Sequence, residues 1–483
     1  MKVHNLLLAG LLLLFAASCS SDDVNGDNSG TETDGVKAYL SLHLTSQSPL
    51  TRTDGTTTPP ETEIDGDQQI SSVAVLLADA DGGIVQVSTN PNISGTQTVP
   101  FTVKSGTYFV YVVANPTAEV ETLLNSSIGK NIQQVVALTA GSKADKYATL
   151  NKYTMMNYNK GITTKGGVSV TITSANSTPE TAAQVTVPVD RFVARIRLMK
   201  EESKLVITDL KKVVFADNNE PVLDNVELVG QYLLNGAAKA NLIQEWMNST
   251  GSVVLNDPDK NNAIPTTDFY NRLEDIAIFD VAPNEENIIG TNLDVTTDFT
   301  ILTYALENRP EILEVNDNAT LVGYTSKTGE TTGTIFQVKM TKGGADVPTF
   351  YKYKNYYFST AAKAIEAYNA DPANATDIPA DTTDPGTLRK AGIRVYEDGM
   401  MYYTYWIQDN NYKIGTPTAD KLYHVVHRNS VYNLFVDKLN NMGGDLPGTD
   451  VDPDPETPIE KPTYLQVTVD VKPWVISDNH IEL

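Results

Sequence analysis

Val36-Lys37-Ala38-Tyr39-Leu40-Ser41-Leu42-His43-Leu44-Thr45 alternates apolar and polar side chains without a break. Successive side chains of a strand point to opposite faces, so Ala38, Leu40, Leu42 and Leu44 share one apolar face behind Val36. Lys37, Tyr39, Ser41, His43 and Thr45 share the other. The same period returns down the chain. Val73, Val75 and Leu77 begin a second strand that turns at Asp81-Gly82-Gly83, and Val168 to Thr173 and Val185 to Leu198 continue the series. Thr107 to Val113 is denser and ends at Asn115-Pro116, the pattern of a strand buried on both faces. Further strands are expected at Asp275 to Phe279, Phe299 to Leu306 and Thr332 to Met340, and short helices at Thr117 to Leu124, Ala238 to Met247 and Ala361 to Tyr368. Between them Thr, Asn, Asp, Gly and Pro make turns and long loops, so the fold class is all-β. No repeat of fixed period is evident, which counts against a propeller or solenoid.

The C-terminus repeats the opening pattern. Leu465-Gln-Val467-Thr-Val469-Asp-Val471-Lys places four apolar side chains on one face, before Pro473 removes an amide donor and Trp474 shifts bulk to the other parity. Ahead of it, Gly443 to Pro462 holds five prolines and six acidic residues and is expected to be an extended linker with no core. Roughly 20 residues span on the order of 60 Å when extended, so the terminal strand can return to its own domain or add to another molecule. Two segments with one apolar register are able to occupy one groove at different times.

Near the N-terminus Lys2 precedes an apolar run, Leu6 to Phe15, too short to cross a bilayer as a helix, which needs roughly 20 residues. It leads into Ala16-Ala17-Ser18-Cys19 and resembles the lipobox of bacterial lipoproteins, whose cysteine is acylated and becomes the first mature residue. Cys19 is the single cysteine of 483 residues, so the body has neither disulfides nor cysteine-ligated metal and depends on burial and backbone hydrogen bonds. Ser20 to Gly35 is polar and acidic and reads as a flexible tether. The net charge of −24, from 36 basic and 60 acidic residues, argues against nucleic acid and against adhesion to an anionic membrane by charge.

Catalytic chemistry is not legible. There is no G-x-S-x-G elbow, P-loop or dinucleotide fingerprint. His424 and His427 fall in Leu422 to Arg428, a strand-like run that points them to opposite faces and away from shared metal coordination. Asp450, Asp452 and Asp454 lack the glycine and closing glutamate of a calcium loop. No catalytic residue, metal or cofactor is expected. Aromatic density peaks at Phe350 to Phe358 and Met400 to Trp406. A glycan-binding platform has this composition, and so does ordinary sheet packing, which is the simpler reading.

In the order of its motifs the chain resembles the Bacteroidales fimbrillins, and in layout the minor fimbrial shaft subunit most. The likeness lies in the lipobox at Cys19, the strand Ala38 to Leu44 followed by Thr51-Arg52-Thr53, and the strand Tyr108 to Asn115 ending V-V-A-N-P. It continues in Val187-Pro-Val-Asp-Arg191-Phe-Val-Ala-Arg195-Ile, Arg428-Asn-Ser-Val431-Tyr432-Asn433-Leu434 and the closing V-T-V-D-V-K-P-W474. The resemblance implies two transthyretin-like β-sandwich domains. It divides the chain into a signal peptide (1–18), a lipidated tether (19–35), a leader strand with cleavage loop (36–52), an N-terminal sandwich (53–188), a C-terminal sandwich (189–442), an acidic linker (443–463) and a donor strand (464–483).

It further implies an outer-membrane lipoprotein precursor, cut after Arg52 by an arginine-specific surface protease. The leader residues Ala38, Leu40, Leu42 and Leu44 then vacate a groove. The donor residues Leu465, Val467, Val469 and Val471 of an identical subunit fill it, with Trp474 as an anchor near its end. The mature form would sit in extracellular fimbriae with fimbrial anchor and tip proteins, its loops open to host proteins or glycans. A tip or accessory adhesin and a cell-anchored glycan-binding lipoprotein are the rival readings.

Overall fold

The computed structural model describes residues 35–46, 69–89, 91–132, 144–149, 152–157, 167–200, 203–238, 242, 246–249, 252–255, 269–270, 301–308, 314–315, 321–323, 327–409, 424, 426–452, 454, 456–457, 459 and 465–473. The fold is all-β with short helices. Among the described residues the first half forms a ten-stranded sheet over one core. Its order runs Ile84–Thr89, Val73–Ala78, Gly106–Ala114, Met155–Asn157, Ala183–Arg191, Lys37–Ser46, Gln97–Thr98 and Ile93–Ser94. Val168–Ile172 joins beside Gly106–Ala114, and Phe101–Lys104 beside Lys37–Ser46.

In the second half two four-stranded sheets enclose a second core. One runs Ile301–Leu306, Val193–Leu198, Ser430–Leu439 and Leu465–Pro473. The other pairs Gly333–Lys342 with Asn225–Leu234, Ala345–Asp346 and Met400–Trp406. Ala194, Ile196, Leu434 and Val436 from the first meet Leu228, Phe336, Val338 and Tyr403 from the second. An insertion between the last two of these strands builds a small third core. Its sheet of Phe350–Tyr353, Tyr356–Phe358 and Ile393–Tyr396 packs with the helices Ala361–Asn369 and Pro385–Lys390. Both helices are capped from the sequence: Thr360 accepts from Lys363 N, and Asp384 accepts from Thr387 N ahead of Pro385.

Several expectations change. Val185 to Leu198 is two strands, Ala183–Arg191 in the first sheet and Val193–Leu198 in the second, with Phe192 buried where the chain changes sheet. Thr107 to Val113 is buried on both faces only from Val110 on; Thr107 is exposed, and Tyr108 and Phe109 are half-buried at the sheet rim. The helix Thr117 to Leu124 forms as Ala118–Asn125, capped by Thr117. The helix expected at Ala238 to Met247 does not reach its end, because Trp246–Ser249 is a strand paired with Ser252–Leu255. Val253 and Val254 supply the β-branched partner, and pairing prevails over helix propensity. The strand expected at Asp275 to Phe279 lies outside the described residues.

A candidate assembly site

The leader strand, Lys37–Ser46, is an interior strand of its sheet. On one side it runs parallel to Ala183–Arg191, Leu40 opposite Ala183 and Leu44 opposite Val187. On the other it is antiparallel to Phe101–Lys104, Ala38 opposite Val103 and Leu40 opposite Phe101. Leu44 N donates to Thr96 O (2.8 Å), Leu42 N to Thr98 Oγ1 (2.8 Å) and Tyr39 N to Asn176 O (2.8 Å). Ala38, Leu40, Leu42 and Leu44 are 0–1% exposed and form part of the first core. Removing this one strand would open a slot with an unpaired ladder on each wall and an apolar floor. Cys19 and Arg52 lie outside the described residues.

The terminal strand, Leu465–Pro473, takes the first of the two routes open to it and docks on its own chain. It pairs antiparallel with Ser430–Leu439, Leu465 opposite Leu439 and Val469 opposite Leu434. It is the outermost strand of its sheet, so it holds one ladder where the leader holds two. Leu465 is buried and Val467 and Val469 are half-buried against the second core, while Gln466 and Thr468 face water. The apolar parity expected for Leu465, Val467 and Val469 is therefore the face turned inward. Val471 lies opposite Tyr432 in the ladder, and Trp474 lies outside the described residues.

The acidic segment between the last two strands is not the coreless linker that its composition suggested. Met442 to Thr449 is largely buried against the Met400–Trp406 strand and the insertion. Gly444 exchanges backbone hydrogen bonds with Tyr402 (2.8 and 2.9 Å), and a Cβ at Gly443 would run into the Tyr402 carbonyl. Asp445 accepts from Arg389 Nε and Val395 N, both at 2.9 Å. Asp450 accepts from Thr404 N (2.6 Å) and Oγ1 (2.7 Å), and burial pushes its carboxyl above the usual range. Composition misled because a buried carboxylate surrounded by donors is indistinguishable in sequence from a solvated one.

The Met400 to Trp406 cluster turns out to be packing, whereas Phe350 to Phe358 buries Phe350, Tyr353 and Phe358 and leaves Tyr356 exposed. Tyr402, Tyr403, Tyr405 and Trp406 are all buried, which removes the surface that a glycan platform at Tyr402, Tyr405 and Trp406 requires. His424 and His427 are buried too, but the described residues around them form no regular strand; their one pairing is the bridge Asn308–Val426. Burial pushes His424 down to about 4. Among the described residues no group of three or more His, Cys, Asp or Glu is placed to hold a metal ion.

A polar junction between the two halves escaped the sequence reading, because its members are nearly 240 residues apart. Asn429, at φ +55°, donates through Nδ2 to Asp190 Oδ1 (2.8 Å), accepts from Arg191 N (3.2 Å), and gives its own N–H to Val193 O (2.9 Å). Beside it Arg428 forks onto Glu307 (2.5 and 2.8 Å) and lies 4.7 Å from the Phe192 ring centre. Burial raises Asp190 to about 7 despite the nearby Arg428 and Arg191. The junction ties the strand flanking the leader to the strand flanking the terminal strand.

Comparison with known proteins agrees with this layout. Residues 38–191 match the family model of the major fimbrial subunit protein FimA, and residues 394–480 match that of the C-terminal part of fimbrillin, the type IV major fimbrial subunit protein. No curated protein matches the chain. Similar solved structures include a proposed cell adhesion protein from Parabacteroides distasonis, 15% identical over 91% of this chain and 100% of that one, with a TM-score of 0.44. A fimbrilin from Porphyromonas gingivalis is 16% identical over 91% and 98%, with a TM-score of 0.43. A C-terminally truncated tip fimbrial protein from the same organism is 15% identical over 91% and 100%, with a TM-score of 0.36. The first model begins at the leader strand and ends at the junction, and the second takes in the terminal strand. Both family models describe major fimbrial subunit proteins, and the role that follows is that of a structural component of a fimbrium. Matched at both ends of its fold, over residues 38–191 and 394–480, the chain is assigned by these two models to the fimbrillins.

Proposed function

We propose that this protein is a shaft subunit of a cell-surface fimbrium, polymerised by proteolysis-triggered strand exchange. The observation that carries the reading is an asymmetry of position. The leader fills an interior slot with four apolar side chains 0–1% exposed, while a strand of the same parity sits at an outer edge with Val467 and Val469 half-buried. In this reading Cys19 is acylated and delivers the precursor to the outer membrane. An arginine-specific protease cuts after Arg52, where Gln47 to Pro60 lacks the apolar patterning needed for burial. The leader leaves with its lipid, and Leu465, Val467, Val469 and Val471 of the next identical subunit enter the slot, with Trp474 near its end. Anchor and tip proteins terminate the polymer, and host proteins or glycans meet its loops. A tip adhesin would need the slot but no donor, and the well-formed terminal strand favours the shaft. Electron microscopy of purified filaments together with N-terminal sequencing tests the reading: the expected first residue is Thr53. Filament subunits that begin at Cys19 would overturn it in favour of a lipid-retaining anchor.

A further inference from the structure

We propose that the acidic segment from Asn441 to Thr457 is a permanent mooring, so that the part of the C-terminal arm which leaves for a neighbour begins beyond Thr457. The inference rests on the strand-exchange reading above and deepens it by locating the pivot. By composition Gly443 to Pro462 reads as an extended linker, free to swing. In the structure the segment is fastened at successive points to strands, a helix and a turn that stay behind. Tyr403 Oη donates to Asn441 O (2.7 Å) and Tyr396 Oη to Gly443 O (2.9 Å). The Gly444–Tyr402 pair, the Asp445 carboxylate held by Arg389 and Val395, and Arg394 Nη2 on Thr449 O (3.2 Å) follow. Asp450 then receives both donors of Thr404, Thr328 Oγ1 donates to Asp454 O (2.6 Å), and Thr328 N donates to Thr457 O (3.0 Å). Within the segment Val451 adds apolar contact to the cluster of Leu234, Ile335, Tyr402 and Trp406.

Detaching the segment would strand the buried Asp445 and Asp450 partners and uncover Tyr402 and Trp406, whereas detaching Leu465–Pro473 breaks one ladder at a sheet edge. The two halves of the arm are therefore unequal, and release of the terminal strand does not require release of the mooring. The consequence is a short reach. Seven residues separate Thr457 from Leu465, a span of roughly 25 Å, against roughly 80 Å were the arm free from Asn440. Successive subunits must then abut, giving a stiff filament of closely packed bodies rather than beads on a flexible string.

Hydrogen exchange on the natural chain, as precursor and as filament, tests this. The Tyr402, Thr404, Gly444 and Thr328 amides should keep their protection within about threefold, and a loss of more than tenfold at these sites in the filament overturns the mooring. Disulfide staples separate this failure from failure of strand exchange, since the one natural cysteine lies upstream of Arg52. A Thr404→Cys/Asp450→Cys staple should assemble after processing, and a Val436→Cys/Val467→Cys staple should not assemble until reduced. If the first staple also blocks assembly, the mooring is wrong while exchange stands. If neither blocks it, exchange itself is wrong. Should the first pair fail to assemble even when reduced, the exchange measurement on the natural chain decides alone.

Discussion

Leu42→Ala separates a strand that is only borrowed from one that is kept. Leu42 is fully buried in the first core, and ladders on both sides of its strand prevent the walls from closing over a void. The change removes three carbons, about 2.4 kcal/mol of transfer free energy, and the cavity raises the loss to about 3 kcal/mol. For a unit of this size the melting temperature of the precursor should fall by roughly 6–12 °C, read by circular dichroism. On the proposed processing the filament would no longer contain the residue, so its dissociation temperature in detergent should equal that of the natural filament. Val187→Ala is the control. Val187 is equally buried on the strand beside the leader, remains in both forms, and should weaken both. A Leu42→Ala filament that dissociates as early as its precursor melts would mean the leader never leaves, and the exchange argument would fall.

Deleting Tyr464 to Leu483 should leave a folded monomer that does not polymerise, because the strand lost is an outer one and its sheet keeps three members; size-exclusion chromatography after processing checks this, and polymers from the truncated chain would refute it. Val469→Asp places a charge where the donor face must enter an apolar slot, and should reduce filament yield at least tenfold while the monomer stays folded by circular dichroism. Asp190 supplies a pH dependence. Its folded pKa of about 7 lies above the ordinary 3.8, so the folded state binds the extra proton and stability falls as pH rises between those values. His424, depressed to about 4, works the other way, losing stability as pH drops below 6.5. The difference between natural chain and Asp190→Asn isolates the carboxyl: from pH 7 to pH 5 the natural chain should gain relative to the variant, by at most about 1.4 kcal/mol per pH unit, in urea titrations. A constant difference across that range would show that Asp190 is not the titrating group.

The alternation of the leader and terminal strands was legible because a period of two is a local property, and burial of Ala38, Leu40, Leu42, Leu44 and Leu465 follows from it. Which of them would be interior and which at an edge was not, since neighbours in a sheet come from remote sequence: the leader lies beside Ala183–Arg191, the terminal strand beside Ser430–Leu439. The same limit hid the Asp190–Asn429 junction. It also hid the mooring, where each carboxylate finds donors some 46 to 56 residues upstream, on the strand of Thr404 and the helix of Arg389. Phe192 illustrates a finer failure: hydrophobic continuity from Val185 to Leu198 says that both stretches are buried, but nothing in it says that the chain changes sheets between them.

Were strands exchanged as proposed, the direction would follow from the same positions. A vacated leader slot exposes unpaired amides and carbonyls along Ala183–Arg191 and Phe101–Lys104, together with the apolar surface that Leu40 and Leu42 had covered. A terminal strand that fills it gains two ladders and full burial, and gives up one ladder and half-burial at its own edge. The transfer is therefore favourable once the slot is empty. It would be blocked while the leader is covalently attached, because a tethered strand competes at an effective concentration in the millimolar range that no free neighbour matches. Cutting the chain would not weaken a single contact of the leader; it would only end that advantage and make its departure irreversible by dilution. In the proposed exchange a subunit would stay monomeric until it is cut, and the ladders and burial gained in the slot would then drive polymerisation.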